Sequence, residues 1–201
     1  MHIILDTNTL VRDYRLRGTT FKVLFDGLAK LGAKLYVPEL VIEETVNKYR
    51  EELISYGEAL KEAHMGLSRL GESLPPSHVD DPFVANAVSA YEKHLRTRLK
   101  EVGAFVLAFP VTGVADVARR EMSRRKPFSN KGTGFRDYLI WLSVLKLASE
   151  VHQDIVLITE NRLDFASDPK APTPKLHPDL VRDLTDKGIA LMADYVAAVR
   201  E

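Results

Sequence analysis

Short apolar runs alternate with stretches of helical period along this chain, and that rhythm leaves few folds open. Residues 3–5 (IIL) form an unbroken apolar run closed by Asp6. Such runs mark strands buried on both faces, as in a parallel sheet. Residues 20–31 (TFKVLFDGLAKL) carry apolar side chains at helical spacing, and Gly32 supplies a C-terminal stop. A second strand is expected at 33–37, closed by Pro38, and a helix from 39 to about 56. Strand, helix, strand, helix in this order predicts an α/β fold.

The pattern resumes after a different stretch. Residues 57–100 are charged, helical in tendency and broken by LPPSHVDDP at 74–82. They read as a helical insert, a hairpin or lid between core elements. Further strands are expected at 103–109, 154–159 and 189–192. Further helices are expected at 116–125, 136 to about 151, 178–187 and 194–200. Residues 126–134 (KPFSNKGTG) read as a loop. The whole of 1–201 reads as a single domain carrying its insert.

Composition narrows the chemistry. The chain has no cysteine, so disulfides, thiolate zinc sites and cysteine nucleophiles are excluded. Its six histidines (His2, His64, His78, His94, His152, His177) are scattered and form no close pair. The 28 basic and 28 acidic residues cancel, so any case for nucleic-acid binding must be local. No apolar run approaches the ~18 residues of a membrane span. MHIILDTN has no signal-peptide character. The expected location is the cytoplasm, with no membrane partner.

In open α/β sheets, ligands bind beyond the carboxyl ends of the strands. Asp6 sits at that end of the first strand, and Thr159, Glu160 and Asn161 at that end of the fourth. Glu43 and Glu44 fall in the first turns of the helix after the second strand, and Asp137 opens the helix before the fourth. Clustered carboxylates resist ionising together unless a cation sits among them. Hard oxygen donors suit Mg²⁺ or Mn²⁺, ions that support phosphodiester hydrolysis. Each acid also has a plain reading as a helix cap, a dipole residue or a turn. Asp6 is the strongest alone, because a carboxylate closing an apolar strand is costly unless satisfied.

ILDTN at 4–8, VPELVIEETVNKY at 37–49, GFRDYLIW at 134–141 and VLITENRLDF at 156–165 together resemble the PIN-domain nucleases. The longer pattern is similar to a larger bacterial PIN-like subgroup. The resemblance implies a three-layer α/β/α fold around a central parallel sheet, with a helical insertion. It implies Mg²⁺- or Mn²⁺-dependent hydrolysis of RNA. Asp6 matches the first metal-binding acid, Glu44 the second (with Glu43 as the alternative) and Asp137 the third. The fourth position, usually Asp, is Asn161 here. An amide can orient a water or coordinate weakly but brings no charge, and Asp164 and Glu160 are the acids that could compensate. The expected catalytic set is therefore Asp6, Glu44, Asp137 and Asn161. The expected metal set is Asp6, Glu44, Asp137 and Asp164. Asn8 and Thr159 are expected to hold the carboxylates in place.

Residues 119–131 (RREMSRRKPFSNK) concentrate positive charge beside Asp137. Arg120, Arg124, Arg125, Lys126 and Lys131 are the expected RNA contacts, since phosphates need cations outside an acidic site. Phe128 and Phe135 either stack on bases or pack the loop.

Rival readings are weaker. The DTN start resembles haloacid dehalogenase-like phosphatases, but Asn8 stands where their general acid belongs. No dinucleotide or P-loop fingerprint occurs. A flap-type DNA nuclease would carry more acids. Two classes remain: a metal-dependent ribonuclease, toxin-type with an antitoxin or RNA-processing, and a catalytically weakened PIN-like module that binds RNA or a protein. The insert would serve as a lid or as a homodimer surface.

Overall fold

The structure, a computed structural model, describes residues 1–72, 79–129, 131–151, 155–172, 174–189 and 196–197. Five strands form one sheet: β1 (His2–Leu5), β2 (Lys34–Pro38), β3 (Phe105–Leu107), β4 (Ile155–Ile158) and β5 (Val196–Ala197). Their order is β3-β2-β1-β4-β5. Every pairing is parallel. β1 is the central strand, with Ile3 opposite Leu35 on one side and Val156 on the other. All four residues of β1 and of β4 are buried, which is why both runs lack polar alternation.

The helices are α1 (Thr7–Leu10), α2 (Thr19–Leu31), α3 (Glu39–Arg69), α4 (Asp81–Glu101), α5 (Val114–Met122), α6 (Phe135–Val151), α7 (Arg162–Phe165) and α8 (Pro178–Asp186). Crossovers between parallel strands are right-handed, so connections running in opposite directions place their helices on opposite faces. Side-chain contacts agree. On one face Arg98 of α4 lies over the Phe25 ring of α2, and Tyr49 of α3 stacks on Tyr91 of α4 at 4.1 Å. On the other, Trp141 of α6 donates to Asp183 of α8 at 2.8 Å. The expected α/β/α layering around a parallel sheet is the one observed.

Local chemistry sets the ends. α2 stops at Gly32, whose φ of 59° is the left-handed conformation glycine adopts freely. α4 starts at Asp80, which accepts from Phe83 N–H at 2.9 Å, with Pro82 in its first turn.

The region read as an insert differs from expectation. α3 does not end near 56; it runs unbroken to Arg69, about 46 Å in all. α4 sends Val88, Tyr91, Leu95 and Leu99 into the buried interior, and Arg96 pairs with Glu39 at the start of α3. The sequence cue was charge, but these helices bury a narrow stripe and expose the rest. They form a hairpin whose inner half belongs to the core. The break expected at 74–82 falls partly outside the described residues.

Two C-terminal expectations also change. Ile189 is not in a strand, and 190–192 lie outside the described residues. Where a helix was expected over 194–200, Val196 and Ala197 pair with Leu157 and Ile158. The open edge of β4 offers backbone donors and acceptors that a short strand satisfies. Among the described residues no helix is long and apolar enough to cross a membrane.

Candidate active site

Asp6 directly follows β1 at the point where chain connections reverse direction across the sheet, between β1 and β4. Its side chain is buried and caps α1. Oδ1 accepts from Thr7 N–H at 2.6 Å. Oδ2 accepts from Asn8 Nδ2 at 2.9 Å and from the Thr159 hydroxyl at 2.5 Å. Asn8 reaches across to β4 as well, accepting from Glu160 N–H at 2.9 Å. The two residues expected to support the carboxylate thus both touch it. DTN forms a short turn because Asp6 satisfies the first amide of α1, and Thr9 N–H returns to the Asp6 carbonyl.

Glu44 comes from the second turn of α3. Its Oε2 accepts from the Thr7 hydroxyl at 2.8 Å, and its Oε1 accepts from Arg136 at 2.5 Å. Glu43, one residue earlier, is exposed. The helical turn therefore directs Glu44, and not Glu43, toward Asp6.

Asp137 stands in the first turn of α6. Asn161 Nδ2 donates to Asp137 Oδ1 at 2.8 Å and to Asp164 Oδ2 at 3.0 Å. The amide at the fourth corner is thus a bridge between two acids. Asp164 also pairs with Lys126 Nζ at 3.0 Å. Glu160, the other acid that could compensate, pairs with Arg12 at 3.2 Å.

Electrostatics record the crowding. Burial pushes the Asp6 carboxyl up to about 6; the Thr159 hydrogen bond opposes this, and the charges of Asp137 and Glu44 add to it. Burial also raises Asp137, against the Asn161 bond and with help from Asp164 and Glu44.

The sequence model of one family, described as a PIN domain, matches residues 3–165. The chain belongs to the PIN-domain family. No curated protein and no solved structure gives a significant match. PIN domains are generally metal-dependent nucleases, so this PIN domain carries nuclease-type function with nucleic acid as its class of substrate. The match spans β1 to α7 and so includes each acid described above.

The basic segment of this PIN domain is arranged differently from an open strip. Arg120 is buried: it pairs with Asp183 at 2.6 Å, donates to the Lys126 carbonyl at 2.9 Å and lies over the Tyr138 ring. It is not presented to a phosphate. Arg125 shares Asp183 at 2.9 Å, and Arg124 pairs with Glu121. Lys131 is exposed on the loop before Gly134. At Gly134 (φ 125°) a Cβ would meet the Pro127 carbonyl at 2.4 Å, so only glycine lets this loop close before Asp137. Phe128 is buried against Tyr138, which packs the loop down, while Phe135 stays exposed.

Reading the residues alone missed Arg136, although it directly precedes Asp137, because its partner Glu44 lies 92 positions away. It also missed Asp183 and Asp179, the carboxylates that anchor the basic loop.

Among the described residues no three acids or histidines stand in ready ligand geometry for one ion. The donors fit a hard divalent ion in kind. Three carboxylates from separate elements come close enough that two of them raise the third.

Proposed function

We propose that this PIN domain is a Mg²⁺- or Mn²⁺-dependent endoribonuclease of the cytoplasm. The observation that carries the reading is the gathering of Asp6, Glu44 and Asp137 beyond the carboxyl ends of the strands, close enough that the charges of Asp137 and Glu44 add to the rise of the Asp6 carboxyl.

Asp6, Glu44 and Asp137 would hold the ion. What such an ion supplies when bound is positive charge for the attacking water and the leaving oxygen of a phosphodiester. The chain's own residues do the rest. Thr159, Asn8 and the Thr7 amide fix the Asp6 carboxylate in one orientation. Asn161 orients Asp137. Arg136, Lys131 and Arg124 lie on the exposed side, where cations attract a phosphate backbone. The choice of RNA over DNA rests on the resemblance set out above; the cations would attract either backbone.

A second reading, a PIN fold that binds RNA or a protein without cutting, is favoured by one observation. Asn161 brings no charge to its corner, and its amide hydrogens point at two acids.

One assay separates the two. A mixed pool of single-stranded and structured RNA is incubated with Mn²⁺, Mg²⁺ or EDTA, using wild type and Asp6→Asn. Cleavage that needs metal and disappears in the variant supports the nuclease. Retained binding with no metal-dependent cleavage supports the binding module and overturns the catalytic assignment. Growth arrest on expression, relieved by a co-expressed partner, would support a toxin role with an antitoxin. Absence of arrest supports RNA processing. A homodimer through the exposed half of the α3–α4 hairpin is tested by the mass in solution.

A further inference from the structure

Lys126 is held at each end. Its N–H donates to Asp179 Oδ2 at 3.0 Å, and its carbonyl accepts from Arg120 Nε at 2.9 Å. Arg120 is itself locked by Asp183 and by the face of Tyr138. At the far end, Nζ donates to the Leu163 carbonyl at 2.7 Å and to Asp164 Oδ1 at 3.0 Å. A long flexible side chain is normally a solvated point charge.

The pair is also more sheltered than the outermost pairs of the molecule. The Lys126 and Asp164 side chains are 24% and 20% exposed, against 72% and 65% for Arg119 and Asp116. Asp164 spends one oxygen on the ammonium and the other on the Asn161 amide. Both of its faces toward the cluster therefore meet donor hydrogens. Asn161 offers Asp137 a hydrogen as well, so its amide turns hydrogens, and not its ligating oxygen, toward both acids.

We propose that Lys126, anchored between Asp179, Arg120 and Asp164, is a built-in cation that neutralises the fourth corner and limits the acid cluster to one divalent ion. The proposal rests on reading Asp6, Glu44 and Asp137 as the metal-holding acids. A second divalent ion at Asp164 would have to displace an ammonium that the fold holds in place, and like charges at such range repel strongly. Lys126 is then a positioning residue of the site and not one of its RNA contacts, and Asp164 is its counter-ion and not a metal ligand.

The test counts ions. Metal-depleted full-length protein is titrated with Mn²⁺, and free Mn²⁺ is followed by its paramagnetic resonance signal. Wild type is expected to bind one ion per chain, and Lys126→Met two. Lys126→Arg is expected to bind one. The double variant Lys126→Met/Asp164→Asn, which removes both charges together, is expected to bind one ion with a Kd within about threefold of wild type. It keeps the question answerable should Lys126→Met fail to fold. Two ions in wild type, one ion in folded Lys126→Met, or a loss of more than about tenfold in the double variant would overturn the role of Lys126 and leave the metal reading standing. No bound ion in wild type would overturn both.

Discussion

Arg136 donates to Glu44 Oε1 at 2.5 Å while remaining 59% exposed, whereas Glu44 is 14% exposed. The acid is part of the buried cluster, and the arginine is its outward face. An exposed pair of this kind contributes ~0–1 kcal/mol to stability. Its value lies in where it leaves a cation. Arg136→Gln is expected to melt within a few degrees of wild type. It should weaken RNA binding and reduce the slope of log affinity against log salt by about 1. Binding measured across a series of KCl concentrations checks this, and an unchanged slope would place Arg136 off the RNA path.

Asp6 gives the metal-free protein a pH signature. Its carboxyl rises from 3.8 to about 6 on folding. A raised acid favours the folded state fully below the unfolded value, and this contribution is lost as pH climbs through the folded one. The gap corresponds to about 3 kcal/mol at most. Metal-free wild type should therefore lose stability between about pH 4 and pH 7 relative to Asp6→Asn. The difference between the two melting curves against pH isolates the effect. Parallel curves would mean that Asp6 ionises freely in the fold.

Divalent ions should reverse that loss. At a Mn²⁺ concentration about 100 times its Kd, stabilisation is about 2.7 kcal/mol. For a chain of this size that raises Tm by roughly 5–10 °C. Asp137→Asn removes one donor and one of the charges that raise Asp6, so its shift with Mn²⁺ should largely vanish. A full shift in Asp137→Asn would take Asp137 out of the metal-holding set.

Asp183 is where the basic loop is tied down. It accepts from Arg120, Arg125 and Trp141, and is itself buried. Removing its charge leaves Arg120 buried and under-paired, which costs about 3–5 kcal/mol. Asp183→Asn should lower the urea midpoint accordingly, followed by the emission of the sole tryptophan, Trp141. A change under about 1 kcal/mol would show that the network adds nothing net.

Much of this arrangement is legible in the sequence. Gly32, the IIL run before Asp6 and the DIVLIT run before Glu160 announce their elements through local chemistry, and each holds in the structure. The acids were legible as a set because they follow strands or open helices. Pairings between distant charges were not. Arg120 and Lys131 look alike in a basic segment, yet one is buried on Asp183 and the other faces solvent. Nothing local separates them, since the difference lies in α8, more than 50 residues later. The full length of α3 is hidden in the sequence for a related reason. A thin buried stripe on a charged helix gives a weak periodic signal, and its partner stripe on α4 lies beyond a proline-rich break.

The sheet order has a consequence for the order of assembly. β1 is the first strand made and the middle strand of the finished sheet, but its second neighbour, β4, begins only at Ile155. Until that segment emerges, Asp6 lacks the Thr159 hydroxyl, Asn8 lacks the Glu160 amide, and Asp137 lacks Asn161. A growing chain can complete its α3–α4 hairpin long before then. The acid cluster is thus a late acquisition during synthesis, closed by one four-residue strand. An unfinished chain carries the acids without the arrangement that makes them a site.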